Sequence, residues 1–366
     1  MTGSGVPGDG DVAVVVVAWN AAHRLRGCLD ALAAQTLAAP VWVVDNGSQD
    51  ATASVVADLA RERPGLHLLR CDTNRGFAGG VALALARVTA PFVVLVNDDA
   101  VLDPGCLAAL AEGFRSAPDP ARVAAVTARV LLDARFAEAS PGTPVPPGGW
   151  RREDGTVLLP ARDAPPGSAL VDIVHSTGVE LTASGNGADR GWLERADTHH
   201  PPADVFAFCG AVVMLRAAAV AAVGGFDPAL FLYYEDTDVA WRLRLHGWTV
   251  RYAEEALVRH AHAASSAGQA SRARYFNERN RLLVVARNGP ARTAAVLTAL
   301  HPLGTLARLA GPGRDPVTAA ARARAYRDYL RRLPGVLATR RTDTVTARVR
   351  RVTFQGARCA IRGNGL

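Results

Sequence analysis

The first 130 residues alternate between continuous apolar runs and segments with a single apolar face. VAVVVVAW (12–19), VWVVD (41–45), LHLLR (66–70) and PFVVLV (91–96) are runs rich in Val and Leu, the pattern of strands buried on both faces. Residues 22–34 repeat apolar positions at helical spacing through Leu25, Cys28, Leu29 and Leu32, and further helices are predicted over 51–62, 79–88 and 105–116. Strands and helices alternating through short connections predict an α/β fold, with βαβ units, a mostly parallel central sheet flanked by helices and right-handed crossovers. Ligands of such sheets bind outside the carboxyl ends of the strands. The polar residues collect there, as Trp19-Asn20, Asp45-Asn46-Gly47-Ser48 and Asn97-Asp98-Asp99.

The alternation stops over 133–204, where PGTPVPPGG (141–149) and DAPPGS (163–168) predict a long, partly mobile loop or insertion across the sheet. It resumes with VFAFCGAVVML (205–215), a short helix, the turn GGFDP (224–228) and a helix from about Glu235 to Leu245. Residues 272–366 read as Arg-rich helices interrupted by Pro and Gly, and no internal repeat is found. The expected organisation is an α/β domain over 1–271, carrying the 133–204 insertion, and a basic, mainly helical extension over 272–366.

Composition changes this picture at three points. A chain of 366 residues with 49% hydrophobic content can bury a sizeable core. The five cysteines (Cys28, Cys71, Cys106, Cys209, Cys359) are scattered without a CxxC pair, which argues against a disulfide framework or a zinc site and fits a reducing cytosol. The opening MTGSGVPGDGDV lacks the form of a signal peptide, and no long uncharged apolar stretch suggests a membrane span. The net charge of +7 hides an asymmetry: residues 272–366 hold 20 Arg against 4 acids, whereas 1–271 hold 21 Arg against 30 acids. The chain has no Lys, so its preference for Arg reflects coding bias, but the uneven distribution does not. A basic tail on an acidic domain points to an anionic partner, either a membrane surface or nucleic acid.

Five segments carry candidate chemistry, most with a plainer alternative. VLVNDDA (94–100) ends an apolar strand in two acids, which either hold Mg²⁺ or Mn²⁺ against phosphates or simply close the strand and cap the next helix. In VVDNGSQDAT (43–52), Asp45 contacts a base or ribose, or Asn46-Gly47-Ser48 is a tight turn whose Ser48 or Asp50 caps a helix. NRGFAGG (74–80) lets backbone amides approach a ligand but is neither GxGxxG nor a P-loop. LFLYYEDTDVAWRLRLHGW (230–248) gathers Glu235, Asp236 and Asp238 at a helix start. They complement the helix dipole, or else their crowding beside tyrosines tunes one of them as a general base. Downstream, VRHAHAASS (258–266) supplies His260 and His262 as metal or phosphate ligands, or as a solvated pair.

Taken in order, VVVAWN, VVDNGSQDAT, NRGFAGG, VNDDA, CGAVVMLR, VGGFDPALFLYYEDTDVAWRLRLHGW, RHAHAASS and YFNERNRLL resemble the inverting glycosyltransferases of family 2, in their rhamnosyltransferase-like branch. The resemblance implies a GT-A, Rossmann-like fold and transfer of a sugar, rhamnose first, from a TDP- or UDP-type donor to a glycan or polyprenyl-linked acceptor. It implies that Asn20, Asp45, Asn46, Ser48, Asn74, Gly76, Phe77, Gly79 and Asp98 bind the donor nucleotide. Gly210, Tyr234, Glu235, Asp238 and Trp241 would face sugar or acceptor, and Asp236 would be the catalytic base. Asn97-Asp98-Asp99 stands at the DXD position, with Asp99 and His260 as ligands of Mg²⁺ or Mn²⁺. Asn97 in place of a first acid departs from a strict DXD, and, separately, Trp19 stands where the family more usually has Tyr.

Two other functions fit parts of the pattern. A sugar-phosphate nucleotidyltransferase shares the sheet and the metal but opens with an Arg/Lys-bearing Gly-rich loop, which is absent here. A non-catalytic nucleotide-sugar-binding relative is the other alternative, opposed by the retention of Asp99, Asp236 and His260. With 6% aromatics and no reader motif, no specific nucleic acid is expected. In the tail, Val296, Leu297, Leu300, Leu303, Leu306 and Leu309 recur at helical spacing. They form either an amphipathic surface on an anionic membrane or a helical cap on the first domain. The expected location is cytoplasmic, peripheral on the inner face of the plasma membrane in the first case.

Overall fold

The computed structural model of the chain describes residues 5–8, 10–261, 270–310 and 315–362. The first elements follow the predicted alternation: β1 (Val12–Ala18), α1 (Leu25–Ala33), β2 (Val41–Asp45), α2 (Thr52–Glu62), β3 (Leu66–Arg70), α3 (Gly76–Leu85), β4 (Phe92–Asn97), β5 (Ala100–Leu102) and α4 (Cys106–Arg115). β1 pairs in parallel with β2 and β4, and β2 with β3. All seven residues of β1 are buried, as expected of a strand covered on both faces.

Residues 133–204 are not the loop that their Pro and Gly content suggests. They contain much of β6 (Val123–Ala139), then β7 (Trp150–Arg151), β8 (Val157–Pro160), β9 (Val171–Ser176), β10 (Val179–Leu181) and β11 (Gly187–Asp189). The far half of β6 pairs antiparallel with β8 and β9, while β10 and β11 form a separate ribbon. Most of these strands are only two to six residues long, too short to display a period against the intervening turns. Leu132, Phe136, Leu158, Ile173 and Leu193 give the insertion its own small core.

The chain returns through β12 (Val212–Arg216), α5 (Ala217–Ala222), α6 (Glu235–Leu245) and β13 (Thr249–His260). The main sheet runs β3-β2-β1-β4-β12-β6-β13-β5. β12 lies antiparallel between β4 and β6, so the sheet is parallel on its first side and mixed on the other. This topology positions the site. Gly210, just ahead of β12, comes to the carboxyl end of β4, where the Asn97 amide donates to the carbonyl of Ala211. The last residue of β13, His260, pairs with Ala100 and is delivered next to Asp99.

The remaining helices are α7 (Ala270–Asn288), α8 (Ala291–Ala310), α9 (Pro316–Thr342) and α10 (Ala347–Arg362). Leu282, Leu283, Val284, Val285 and Ala286 of α7 belong to the same buried cluster as Val15, Leu95 and Trp241. Among the described residues, no helix is long and apolar enough to cross a membrane.

Candidate functional site

Two adjoining cavities open at the carboxyl edge of β1, β2 and β4. The smaller, of about 150 Å³, is bounded by Trp19, Asn46, Asn74, Gly76, Phe77 and Asp98, with Phe231, Tyr233 and Arg272 opposite. The larger, of about 480 Å³, is bounded by Asp99, His175, Asp189, Gly210, Tyr234, Glu235, Asp236 and His260. Asn97, Phe77, Leu232 and Tyr233 border both.

Asn46 holds the floor of the small cavity. Its Nδ2 donates to the Gly76 carbonyl at 2.9 Å, and its Oδ1 accepts from the Arg75 amide at 3.0 Å. Gly76 is required: its φ is +72°, and a Cβ there would lie 2.2 Å from the Phe231 carbonyl oxygen. Asp98 reaches the cavity but is engaged, its carboxylate gripped by Arg24 through two contacts of 3.0 Å. Of the other donor-binding candidates, Asn20, Asp45 and Ser48 knit the β1 and β2 ends together. Ser48 Oγ accepts from the Asn20 amide, Asn20 Oδ1 from the Gln49 amide, and Asp45 Oδ1 from the Ser48 amide. Gly79 lies within α3 and contributes close packing, since a Cβ there would meet the Arg75 side chain at 2.7 Å.

In the large cavity, Asp99 Oδ1 lies 3.0 Å from His260 Nε2, and Asn97 Nδ2 lies 3.2 Å from the same nitrogen. On its other side His260 Nδ1 is 3.1 Å from His175 Nδ1, with the two rings stacked. If His260 donates from Nδ1 to His175, its Nε2 lone pair faces the Asp99 carboxylate. Two acceptors so placed suit a cation between them, and carboxylate with imidazole is a donor set that Mn²⁺ or Mg²⁺ accepts. Among the described residues no group of three or more His, Cys, Asp or Glu surrounds one point. His262 lies outside the described residues.

Opposite, the start of α6 presents Glu235 and Asp236. Burial raises the Asp236 carboxyl above its ordinary value. Hydrogen bonds from the Thr237 amide (2.6 Å) and hydroxyl (3.1 Å) and the Gly210 amide (3.3 Å) oppose that rise. Glu235 is pushed well above the usual range, by burial first and the Asp236 charge second. Its Oε2 has no hydrogen-bond partner among the described residues. Tyr234 accepts the Gly187 amide at 3.1 Å through a hydroxyl that burial pushes up to about 12.

Asp238 and Trp241, expected to face sugar or acceptor, do not. Asp238 is buried behind α6, where its carboxylate receives Arg242 at 2.6 Å, Asn288 at 2.8 Å and Arg287 at 3.4 Å. Trp241 is fully buried between Phe206 and Phe354. Both are core positions of the side of α6 turned away from the cavity.

The structure adds three residues that sequence reading did not assign. His175 fixes the His260 ring. Asp189, pushed up to about 6 mainly by burial with the Asp236 charge adding, completes the cavity wall. Both lie in the segment read as a loop. The third, Asn280, sits in YFNERNRLL and holds the loop before α6: its Nδ2 lies 2.9, 2.9 and 2.7 Å from the carbonyls of Leu230, Leu232 and Tyr233. The sequence signal was a cluster of polar residues, Glu278 to Arg281, all buried along a helix.

The model of the family described as glycosyltransferase like family 2 matches residues 7–281. The chain is 27% identical over 270 residues, 70% of this chain and 77% of the relative, to the N-acetylglucosaminyl-diphospho-decaprenol L-rhamnosyltransferase of Mycobacterium tuberculosis. It is 32% identical over 100 residues, 27% of this chain and 29% of the relative, to the succinoglycan biosynthesis protein ExoU of Rhizobium meliloti. Among solved structures it is similar to GalNAc-T7 with UDP, GalNAc and Mn²⁺, with a TM-score of 0.55 at 12% identity over 90% of this chain and 57% of that one. This last likeness is one of fold.

Proposed function

The chain belongs to glycosyltransferase like family 2, and from that premise we propose that it moves rhamnose from a TDP-type donor, or a hexose from a UDP-type donor, to a hydroxyl of a polyprenyl-linked glycan, inverting the anomeric centre. The observation that carries the reading is the facing of two walls across one cavity, Asp99 with His260 on one side and Asp236 with Glu235 on the other. The mycobacterial relative, whose name describes rhamnosyl transfer onto a decaprenol-linked sugar, supports the choice of donor sugar and acceptor.

In this reading the small cavity takes the nucleoside against Asn46, Asn74, Gly76 and Phe77, leaving the diphosphate at Asn97 on the border of the large one. Asp99 and His260 hold Mg²⁺ or Mn²⁺, whose charge, when it is bound, neutralises the departing diphosphate. Asp236 accepts the proton of the acceptor hydroxyl as that oxygen bonds to the anomeric carbon and the bond to the diphosphate oxygen breaks. A carboxyl raised by burial holds that proton better than an exposed one, which favours it as the base. The Gly210 and Thr237 contacts keep its oxygens oriented. Glu235, its carboxyl raised by burial and its Oε2 without a partner among the described residues, faces a sugar hydroxyl.

Titration of UDP, TDP, GDP and CMP, with and without Mn²⁺ or Mg²⁺, tests the reading. Metal-dependent binding of one diphosphate, weakened at least tenfold in Asp99→Ala, is expected. Absence of binding by all four, with metal present, overturns it.

A further inference from the structure

Helix α8 exposes several large apolar side chains to solvent, while its contact with α9 is polar. The side turned to α9 is polar, while Ala294 and Leu297 pack against the main core. His301 and Thr305 are buried there, the His301 ring stacks on Tyr326, and Thr298 Oγ1 meets the Tyr329 hydroxyl at 2.7 Å. Arg322 donates to Thr305 Oγ1 at 3.3 Å and pairs with Glu278. The outward side is apolar. Val296, Leu300, Leu303, Leu306 and Leu309 are each 47–60% exposed, and Ala295, Ala299 and Ala307 lie exposed among them. Val296, Leu300, Leu303 and Leu306 share one exposed face, which marks a contact surface rather than a scatter of surface residues.

We infer that α8 lies in the surface of an anionic lipid bilayer, with this leucine row in the acyl boundary. Charge selects lipid as the occupant. The helix contains no acid, and exposed Arg292 and Arg308 stand near its two ends, where cationic groups reach headgroup phosphates. The surrounding 272–366 segment carries 20 Arg against 4 acids. The helix does not qualify as a membrane span, so it lies along the surface rather than crossing it. The placement rests on the proposed function in one respect, that a lipid-carried acceptor gives it a purpose. Leu297 of α8 and Val285 of α7 pack beneath Gly185 in the turn between β10 and β11, and Gly187 and Asp189 of that ribbon line the large cavity. One hairpin therefore separates the bilayer surface from the reacting groups.

The test is co-sedimentation of the full-length protein with vesicles of phosphatidylcholine, alone or mixed with phosphatidylglycerol, using wild type and a Leu303→Asp/Leu306→Asp double variant. Wild type is expected to bind the mixed vesicles, less so at high salt, and the variant to bind at least tenfold more weakly. A milder Leu303→Ser/Leu306→Ser pair, checked for an unchanged melting curve, covers the case in which the aspartates misfold. Equal binding by wild type and the folded variants overturns the inference, as does wild type that ignores both vesicle types. A stable dimer in light scattering that the substitutions dissolve also overturns it, assigning the face to a second copy of the chain. Because the readout needs no sugar nucleotide, vesicle binding without transfer would count against the proposed function alone.

Discussion

Replacing Asn280 by Ala removes the clamp on the loop that delivers Glu235 and Asp236. The loop needs one, because Phe231, Tyr233 and Tyr234 have φ of +69°, +67° and +70°. Each such non-glycine residue costs about 1–2 kcal/mol, so roughly 3–6 kcal/mol of strain is held within four residues. An amide offers two N–H groups, so its three carbonyl contacts amount to two full hydrogen bonds. Losing them costs about 1 kcal/mol each, and the carbonyls left unpaired raise the total to roughly 2–4 kcal/mol. Arg279, which also donates to the Ala229 and Leu230 carbonyls, keeps the earlier part of the loop in place. The expected consequence is local release: a melting temperature lower by a few degrees, and transfer lower by about 30- to 700-fold, since each 1.4 kcal/mol is tenfold in population. Hydrogen exchange separates this from a general loss of stability, because amides of residues 230–236 should exchange faster while those of β1 and β4 do not. Turnover within about twofold of wild type together with unchanged exchange in the loop would refute the clamp.

Two further outcomes follow from the buried acids. Asp236→Asn should lower turnover by about 10²- to 10⁴-fold with little change in melting temperature, and wild-type turnover should fall as pH drops through the raised Asp236 value. A variant within tenfold of wild type removes Asp236 from the role of base. Glu235 has a folded-state pKa raised above its unfolded value, so its contribution to stability is complete at low pH and is lost as pH rises through the raised value. Glu235→Gln should therefore gain on wild type with rising pH, by about 1.4 kcal/mol for each further tenfold drop in proton activity, and match it near about pH 4. Melting curves that stay parallel across that range would show that Glu235 carries no such burden.

The first half of the fold was legible because its information is local. β1 to β4 are apolar runs with helical repeats between them, and the polar residues at their ends mark the functional edge without any knowledge of the tertiary structure. The segment 133–204 was illegible because its short strands are defined by partners far along the chain, β8 and β9 by the extended end of β6. His175 and Asp189 were lost with it. The misassignment of Asp238 is of another kind, since helix spacing turns it away from Asp236 but leaves it beside Glu235, three residues earlier, and only Arg242, Arg287 and Asn288 draw it into the core. On the helix correctly expected over Glu235–Leu245, residues two apart stand about 200° apart around the axis, so Asp236 and Asp238 point to opposite sides. Three clustered acids were thus one cavity pair and one core ion pair.

Helix α8 marks where periodicity ends as a guide. The spacing of Val296, Leu300, Leu303 and Leu306 does establish a helix with one apolar side, but spacing carries no sign. The usual inference, that the apolar side faces the protein, is reversed here because the neighbouring helix offers a polar surface. Tyr326, Tyr329 and Arg322 of α9 present hydroxyls and a guanidinium; Thr298 meets the two tyrosines, and Thr305, with Glu278 of α7, meets Arg322. Turning α8 by half a revolution would bury leucines against those groups and leave the two hydroxyls without partners, at about 1–3 kcal/mol apiece. The orientation that exposes the leucines is therefore set by the polar seam between the two helices. A sequence comparison asking whether the threonines, the histidine and their α9 partners change together would bear on it directly.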